Sequence, residues 1–222
     1  MIELSIKFLL QEGFMTDNQE IHAVNLRGEL SKPPGNALWL IKWLLVIPHI
    51  IVLVFLWIAF CFVSFIVFFA ILFTGRYPRG LFDFNVGVMR WTWRVGFYSY
   101  QALATNEYPP FTLGPSDEYP ADLKVDYPEK LTPWLVLFKW FLAIPHYGVL
   151  IFIVGGGFSA PGFPHGGLLS VLVLIAAFVL LFTGKYHQDI FRLVMGINRW
   201  LYRVIAYVAL MTDRYPPFKL WE

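Results

Sequence analysis

The sequence predicts an all-α membrane protein built from two tandem copies of one unit. Three observations support this fold class: a duplicated set of motifs, two long stretches without charge, and an amphipathic segment after each stretch. Of the 222 residues, 58% are hydrophobic and only 14% are charged, whereas a soluble domain averages about 25% charged residues. We expect each unit to be a transmembrane helical hairpin followed by an amphipathic interfacial helix, with possible short β strands outside the membrane.

The duplication appears in four motifs that occur twice in the same order. The first, KWLLVIPH from Lys42 to His49, returns 97 residues later as KWFLAIPH, from Lys139 to His146. The others are Phe-Thr-Gly-Arg/Lys-Tyr, Arg-Trp-x-x-Arg and Tyr-Pro-Pro-Phe, which begin at positions 73 and 182, 90 and 199, and 108 and 215. A repeat of about 100 residues indicates a duplicated structural unit rather than a solenoid.

The domain boundaries follow from this repeat. We predict an N-terminal extension over 1–20, a first membrane repeat over 21–111, an acidic, proline-rich linker over 112–120 and a second membrane repeat over 121–222. The first residues lack the apolar core of a signal peptide. Met15, which begins a polar stretch, is the expected natural start.

Each unit opens with a short segment in which apolar and polar residues alternate. These segments are Val24 to Arg27 and Leu123 to Asp126. Alternation with a period of two predicts strands. The two strands could pair with each other outside the membrane.

The charge-free stretches follow, from Trp43 to Gly75 and from Trp140 to Gly184. A spanning helix needs about 20 apolar residues. A straight helix over 37–73 would be about 55 Å long, although the hydrocarbon core is only about 30 Å thick. The segment therefore turns back, or its first part, 37–47, lies along the surface before the chain crosses.

The second unit favours a turn. Its 12 extra residues enter between the Pro-His step and the Phe-Thr-Gly motif, where 155–167 is rich in glycine and proline and is typical of a loop. We predict hairpins of 37–56 with 59–73 and of 133–154 with 167–183. All 17 lysines and arginines lie outside the two charge-free stretches. Basic segments stay on the cytoplasmic side, which predicts cytoplasmic termini and an outward-facing 155–167 loop.

After each hairpin the pattern predicts an amphipathic helix, over about 80–105 and 188–212. Arginines spaced four residues apart share one face of each helix. Buried arginine in a bilayer is costly, so we expect interfacial helices whose arginines and tryptophans meet lipid phosphates or a partner. The predicted lipid- or partner-binding residues are Arg90, Arg94, Arg199, Arg203, Trp91, Trp93 and Trp200. The alternatives are generic anchoring, or a third spanning helix with buried arginines facing a polar pathway.

His49 and His146 follow matching prolines in the two units. Paired histidines could ligate a haem between the repeats or relay protons. The other interpretation is that each Pro-His step marks a helix kink. The single cysteine, Cys61, excludes an intramolecular disulfide and a cysteine-based metal site.

The motif FTGRYPRGLFDF at 73–84, followed by Arg-Trp-x-x-Arg and Tyr-Pro-Pro-Phe and returning in altered form in the second unit, resembles a bacterial membrane protein family known mainly as a domain of unknown function. The resemblance covers about 21–220 and implies an integral protein of the bacterial inner membrane, without catalytic residues to carry over. The second copy departs from the pattern, because YHQD replaces YPRG after the second hairpin, at 186–189.

No nucleophile elbow, phosphate loop, dinucleotide fingerprint or zinc spacing occurs in the sequence. We therefore expect a protein that is not an enzyme and has no cofactor or metal. It would be an accessory or scaffold subunit, or an organiser of anionic lipid at the cytoplasmic leaflet. Its expected partners are anionic lipids and other membrane subunits, not nucleic acid. The alternatives are a small transporter or lipid-translocating channel, and a haem- or quinone-binding redox subunit.

Overall fold

The structure, a computed structural model, describes residues 23–30, 38–154 and 167–221. It contains two strands and six helices over these residues. In chain order they are β1 (Val24–Gly28), α1 (Trp39–Thr74), α2 (Arg79–Tyr98), β2 (Ala121–Val125), α3 (Leu135–Leu142), α4 (Ile144–Ile153), α5 (Leu168–Thr183) and α6 (Gln188–Val208). The predicted N-terminal extension, 1–20, and most of the glycine-rich loop lie outside the described residues.

The first hairpin prediction is wrong, because α1 is one continuous helix of 36 residues. The expected turn at 57–59 contains neither glycine nor proline, and every residue there keeps its helical hydrogen bonding. Pro48 lies inside the helix without ending it. The helix ends at Gly75, which adopts φ 65° and donates its N–H to the Ile71 carbonyl, the left-handed stop that glycine favours.

In the second unit the equivalent segment is divided, and a hairpin is not confirmed. A break at Ala143, two residues before Pro145, separates α3 from α4. The stretch 155–166 lies outside the described residues, but Gly167 lies against the Ile153 carbonyl. Helix α5 therefore starts beside the end of α4. It stops at Gly184 with φ 67°, as α1 stops at Gly75.

The strand prediction is confirmed, including the pairing of the two strands. β1 and β2 form an antiparallel sheet in which Leu26 faces Leu123 and Asn25 faces Lys124. Leu26 and Leu123 are 97 residues apart, the same offset as the two Lys-Trp motifs. The sheet therefore joins equivalent residues of the two units around a local two-fold axis.

The elements stack in three layers: the β1–β2 sheet, then the middle helices α2 and α6, and then the apolar helices α1, α3, α4 and α5. β2 packs on α2 and β1 packs on α6, while α1 packs on α2 and α5 packs on α6. Trp93 ties the first two layers, since its Nε1 donates to the Arg27 carbonyl at 2.8 Å. Trp57 ties the second and third, since its Nε1 donates to Thr92 Oγ1 at 3.0 Å. The amphipathic helices are thus the middle layer and not free interfacial helices.

The outer faces of the stack differ in polarity. The sheet exposes Arg27 and Lys124. The opposite surface is apolar, and Phe62 on α1 is 67% exposed. Two helical segments, Trp39–Thr74 and Leu135–Ile153, are long and apolar enough to cross a membrane by length and composition alone. The structure is thus mostly helical, with two candidate membrane spans.

Two glycines of α2 give a matched test of this packing. A Cβ on Gly87 would lie 2.8 Å from Leu113 Cβ, whereas a Cβ on Gly80 would meet nothing within 4 Å. We expect Gly87→Ala to lower the unfolding temperature, because Leu113 must move. Gly80→Ala should leave it unchanged or raise it, since alanine favours helix by about 1 kcal/mol. Thermal unfolding in detergent micelles measures both; equal shifts would contradict the packing.

Candidate functional site

The repeated motifs converge on one site in each unit, which we call the histidine cluster. In the first unit it comprises His49, Trp91, Tyr108 and Phe111, and in the second it comprises His146, Trp200, Tyr215 and Phe218. His49 stacks on Phe111 with ring centroids 4.0 Å apart, and His146 stacks on Phe218 at 4.1 Å. Each cluster therefore joins three parts of its unit that are distant in sequence. They are α1 or α4, which carries the histidine, α2 or α6, which carries the tryptophan, and the Tyr-Pro-Pro-Phe segment.

The hydrogen bond to each histidine fixes its chemistry. Trp91 Nε1 donates to His49 Nδ1 at 3.1 Å, and Trp200 Nε1 donates to His146 Nδ1 at 3.2 Å. A neutral imidazole whose Nδ1 accepts carries its proton on Nε2. Both ring nitrogens of each histidine are thus occupied, one by the tryptophan N–H and the other by its own proton. This arrangement does not fit haem ligation, which needs a free imidazole lone pair.

The tyrosines of the cluster bind the backbone at the proline step. Tyr108 Oη donates to the Leu45 carbonyl and Tyr215 Oη to the Leu142 carbonyl, both at 3.1 Å. Each acceptor lies three residues before a proline, next to the carbonyl that the missing proline N–H leaves without a helical donor. The Pro-His step is therefore a point of attachment between elements. The kink interpretation has support only in the second unit, where the helix is divided at Ala143, because α1 continues through Pro48.

Two buried lysines lie seven residues, about two helical turns, before the cluster histidines, and the sequence analysis did not select them. Lys42 Nζ donates to the Thr105 carbonyl at 2.6 Å, and Lys139 Nζ donates to the Thr212 carbonyl at 2.8 Å. Lys42 also lies 4.6 Å from the ring centroid of Tyr98. Both ammonium groups hold the chain segment that follows a middle-layer helix. Their position in the repeated Lys-Trp motif was the available signal.

The lysine sites differ between the units. Lys139 pairs with Asp213 at 2.8 Å, whereas Asn106 occupies the equivalent position in the first unit. Burial by itself would raise the pKa of Asp213, but Lys139 and the Thr132 N–H outweigh burial and lower it. Only the second unit therefore contains a carboxylate here whose ionised form is stabilised by folding.

This difference predicts acid sensitivity of the second unit. A carboxyl whose folded pKa is lowered stabilises the fold above its unfolded pKa, near 3.8, and loses that effect as the pH falls. We expect Asp213→Asn to be less stable than the parent at pH 6, with the difference shrinking towards pH 3. Unfolding temperatures across this range test it. The exposed-loop variant Asp117→Asn is the control; an unchanging Asp213→Asn deficit would contradict the ion pair.

The predicted arginine face is not exposed. Arg94 is fully buried, and Arg203 is nearly so. Arg94 Nη2 lies 2.8 Å from Asp122 Oδ1, and Arg90 Nε lies 3.2 Å from the same atom. The expectation of interfacial arginines is wrong in its geometry, because the strand carboxylate and nearby carbonyls take up these guanidinium groups. Lipid binding by them stays an untested prediction that this burial disfavours.

The second arginine pair has a similar backbone environment. Arg199 Nε donates to the Leu26 carbonyl, as Arg90 Nε donates to the Leu123 carbonyl. Arg203 donates to the Lys219 carbonyl at 3.4 Å. The predicted tryptophans are also internal, since Trp91, Trp93 and Trp200 are all at most 6% exposed. None of the three lies on a surface that could meet lipid headgroups.

An apolar cavity of about 530 Å³ lies between the two units. One wall is formed by α1, through Trp57, Phe60, Cys61, Ser64 and Phe65, and another by Tyr147 and Leu150 of α4. The end of α6 closes the third side. In the part of the chain that the structure describes, no group of three or more histidine, cysteine, aspartate or glutamate side chains is placed to hold a metal ion.

With this geometry in place, comparison with known proteins identifies the class of the chain. Residues 36–112 and 165–219, more than half of the sequence, match the family described as "Domain of unknown function (DUF4389)". The chain therefore belongs to this family, with two copies of its domain. No curated protein and no solved structure matches it.

Proposed function

We propose that the chain is a non-catalytic membrane protein that serves as a scaffold or accessory subunit. The proposal rests on the contacts that the few polar side chains of the apolar helices make. Lys42, His49, Lys139 and His146 all make internal contacts that hold their own unit together. Such groups stabilise a rigid frame, and all four side chains are fully buried, so that none of them is open to a substrate.

We also propose a role in organising anionic lipid, but through other cationic side chains than the four arginines that the sequence analysis selected. Arg76 and Lys185 are exposed just after the two Thr-Gly helix ends. Beside them Phe73 and Phe182 are 80% and 81% exposed. An exposed aromatic next to an exposed cation is typical of a membrane interface. We propose that these loops, and not the buried arginines, contact lipid phosphates.

This proposal predicts which substitutions alter lipid selectivity. Replacing Arg76 and Lys185 with glutamine should reduce enrichment of phosphatidylglycerol over phosphatidylcholine around the protein, because each juxtamembrane charge contributes about 1 kcal/mol. Lipid analysis after reconstitution in mixed nanodiscs measures it. The control replaces Arg27 and Lys124, on the outer face of the sheet, and should retain the enrichment. Loss in the control alone would place the lipid contact on the sheet.

The proposed location is the bacterial inner membrane, with both termini on the cytoplasmic side. The support is the segregation of charge, since every lysine and arginine lies outside the two apolar stretches. Segments rich in these residues stay cytoplasmic. Asp117 and Glu118, in the loop before β2, are exposed, and a partner subunit could bind there.

One observation favours a second candidate, a lipid-translocating or lipid-carrying protein. The cavity between the units is large and almost wholly apolar in its lining. An apolar chain would fit it better than an ion or a sugar, because polar cargo buried without hydrogen bonds is strongly disfavoured. Cys61, the single cysteine, lines this cavity and allows a thiol probe to report occupancy.

The scaffold proposal is tested by photo-crosslinking in the native host. A photoreactive amino acid at Lys124 or Asp117 should yield one discrete protein adduct, and the same residue at Phe62 should yield lipid adducts. Buried Val67 is the control position and should yield neither. Absence of any protein adduct from the polar positions, together with exchange of lipid between leaflets by the purified protein, would reject the scaffold in favour of translocation.

A further inference from the structure

We infer that the two long helical segments lie along the plane of one leaflet and do not cross the bilayer. The segments are α1 and the series α3, α4 and α5. The inference rests on the proposed membrane role and specifies how the membrane holds the protein. It follows from three features: the relative direction of the segments, the two-fold axis and the length of the apolar surface.

The long segments run antiparallel. Leu131, just before α3, donates its N–H to the carbonyl of Gly75, just after α1. Further along, Trp140 stacks on Phe68 with ring centroids 5.6 Å apart. Leu150 then lies across the cavity from Trp57. Positions in α1 therefore decrease as positions in the second unit increase.

Two pairs of equivalent residues locate the two-fold axis. Leu26 and Leu123 face each other in the sheet. In the middle layer Trp93 and Tyr202, which are 109 residues apart like the Arg-Trp motifs, pack with ring centroids 5.7 Å apart. The axis passes between the members of both pairs. It therefore runs from the sheet through the middle layer towards the long helices.

Only one direction of this axis is compatible with a bilayer. Two equivalent units occupy equivalent depths when their axis is either the membrane normal or a line in the midplane. An axis in the midplane would place the sheet at the bilayer centre, with exposed Arg27 and Lys124 in hydrocarbon. Each such charge costs about 2.5–3.5 kcal/mol there. The axis is therefore the membrane normal, and the sheet lies in water.

The orientation of the long segments then follows from symmetry. A rotation of 180° about the normal reverses the in-plane component of a direction and leaves the vertical component unchanged. Segments that are antiparallel and related by this rotation have almost no vertical component. They lie flat, and the middle layer separates them from the sheet.

The length of α1 leads to the same arrangement. Its charge-free stretch, Trp43 to Gly75, is about 50 Å long at 1.5 Å per residue. Crossing a hydrocarbon core of about 30 Å would require a tilt of about 53°, beyond the range of about 0–40° found for spanning helices. Large apolar residues stay exposed along the whole helix, from Trp43 through Phe55 and Phe65 to Phe73. A flat helix buries this entire stripe in acyl chains.

The two ends of α1 supply the test. Glu107 is exposed. It lies beside the start of α1, because its neighbours Thr105 and Tyr108 form hydrogen bonds with Lys42 and Leu45. Arg79 is exposed just after its end. In a Cys61→Ala background, single cysteines would be introduced as Glu107→Cys and Arg79→Cys. An impermeant maleimide would be added to sealed vesicles of each orientation, with detergent-opened vesicles as the positive control.

A flat α1 predicts that both cysteines react from the same side of the membrane, whereas Phe62→Cys reacts from neither side. The inference would be overturned if the cysteines at positions 107 and 79 were labelled from opposite sides of the membrane. It would also be overturned if neither cysteine were labelled, whichever side the reagent was added to. Alkaline carbonate extraction separates this failure from failure of the membrane proposal. Release of the parent protein into the soluble fraction would reject membrane embedding itself, whereas retention with opposite labelling would reject only the flat orientation.

Discussion

Replacing Asp122 with alanine is expected to lower the free energy of unfolding by about 3–5 kcal/mol, the range for breaking a buried ion pair. Asp122 is 3% exposed and pairs with both Arg90 and Arg94. Its removal leaves two guanidinium groups without their carboxylate at the junction of β2 and α2. Chemical unfolding in mild detergent measures the loss.

The neighbouring variant Lys124→Ala is the matched control, because Lys124 is exposed on the same strand. Surface substitutions of this kind stay within about 0.5 kcal/mol. A double variant that adds Arg94→Leu should lose less than the sum of the two single effects. A loss below 1 kcal/mol for Asp122→Ala would show that the pair does not hold the sheet to α2.

The second large effect concerns the outer face of α1. Phe55, Phe62 and Phe69 are spaced by seven residues and are all exposed, so they lie on one side of the helix. Changing all three to lysine should release the protein from membranes. Each charge costs up to about 2.5–3.5 kcal/mol at the bilayer centre and less near the headgroups. Three together shift partitioning by orders of magnitude.

Membrane flotation of the expressed variant measures this effect. The control changes the same three residues to leucine, which keeps the apolar surface and should keep the protein in the floating fraction. If the lysine variant floats like its parent and retains its far-ultraviolet circular dichroism, this face of α1 is not the membrane contact. Loss of the helical signal in both variants would show that the phenylalanines pack internally, contrary to their exposure.

The sequence was sufficient for local elements with a clear period. Alternation at Val24 to Arg27 predicted a strand and its partner, and the predicted helix ends at 73 and 183 lie within one residue of the observed ends, Thr74 and Thr183. The register between the two strands could not be predicted from local sequence, because the pairing of Leu26 with Leu123 depends on the two-fold arrangement of the units. Once that arrangement is known, the offset of 97 residues gives the register directly.

The length of α1 could not be predicted, because composition does not separate a hairpin from one long apolar helix. The hairpin was favoured by the glycine-rich insertion in the second unit and by the assumption that an apolar stretch must cross the membrane. Nothing at 57–59 ends a helix, and the structure follows that local preference. The insertion therefore interrupts only the second copy.

The arginines show that a helical pattern predicts which residues share a face but not whether that face is exposed or buried. Arg90 and Arg94 share a helix face, and the sequence analysis took that face to be exposed. The acid that covers it, Asp122, is 28 residues beyond Arg94, so only tertiary structure brings them together. Lys42 and Lys139 were missed for the same reason, since each bonds a backbone carbonyl more than 60 residues away, and Lys139 also pairs with the distant Asp213.

The central claim, a membrane protein whose long helices lie flat under a polar layer, is tested most directly by a depth profile along α1. Nitroxide labels at Ile47, Val54, Phe62, Phe69 and Phe73 in nanodiscs would report depth through their relative accessibility to oxygen and to a water-soluble nickel chelate. We predict one shallow depth for all five, within a single leaflet. Labels near the helix centre at the bilayer midplane, with both ends at opposite headgroup regions, would contradict it.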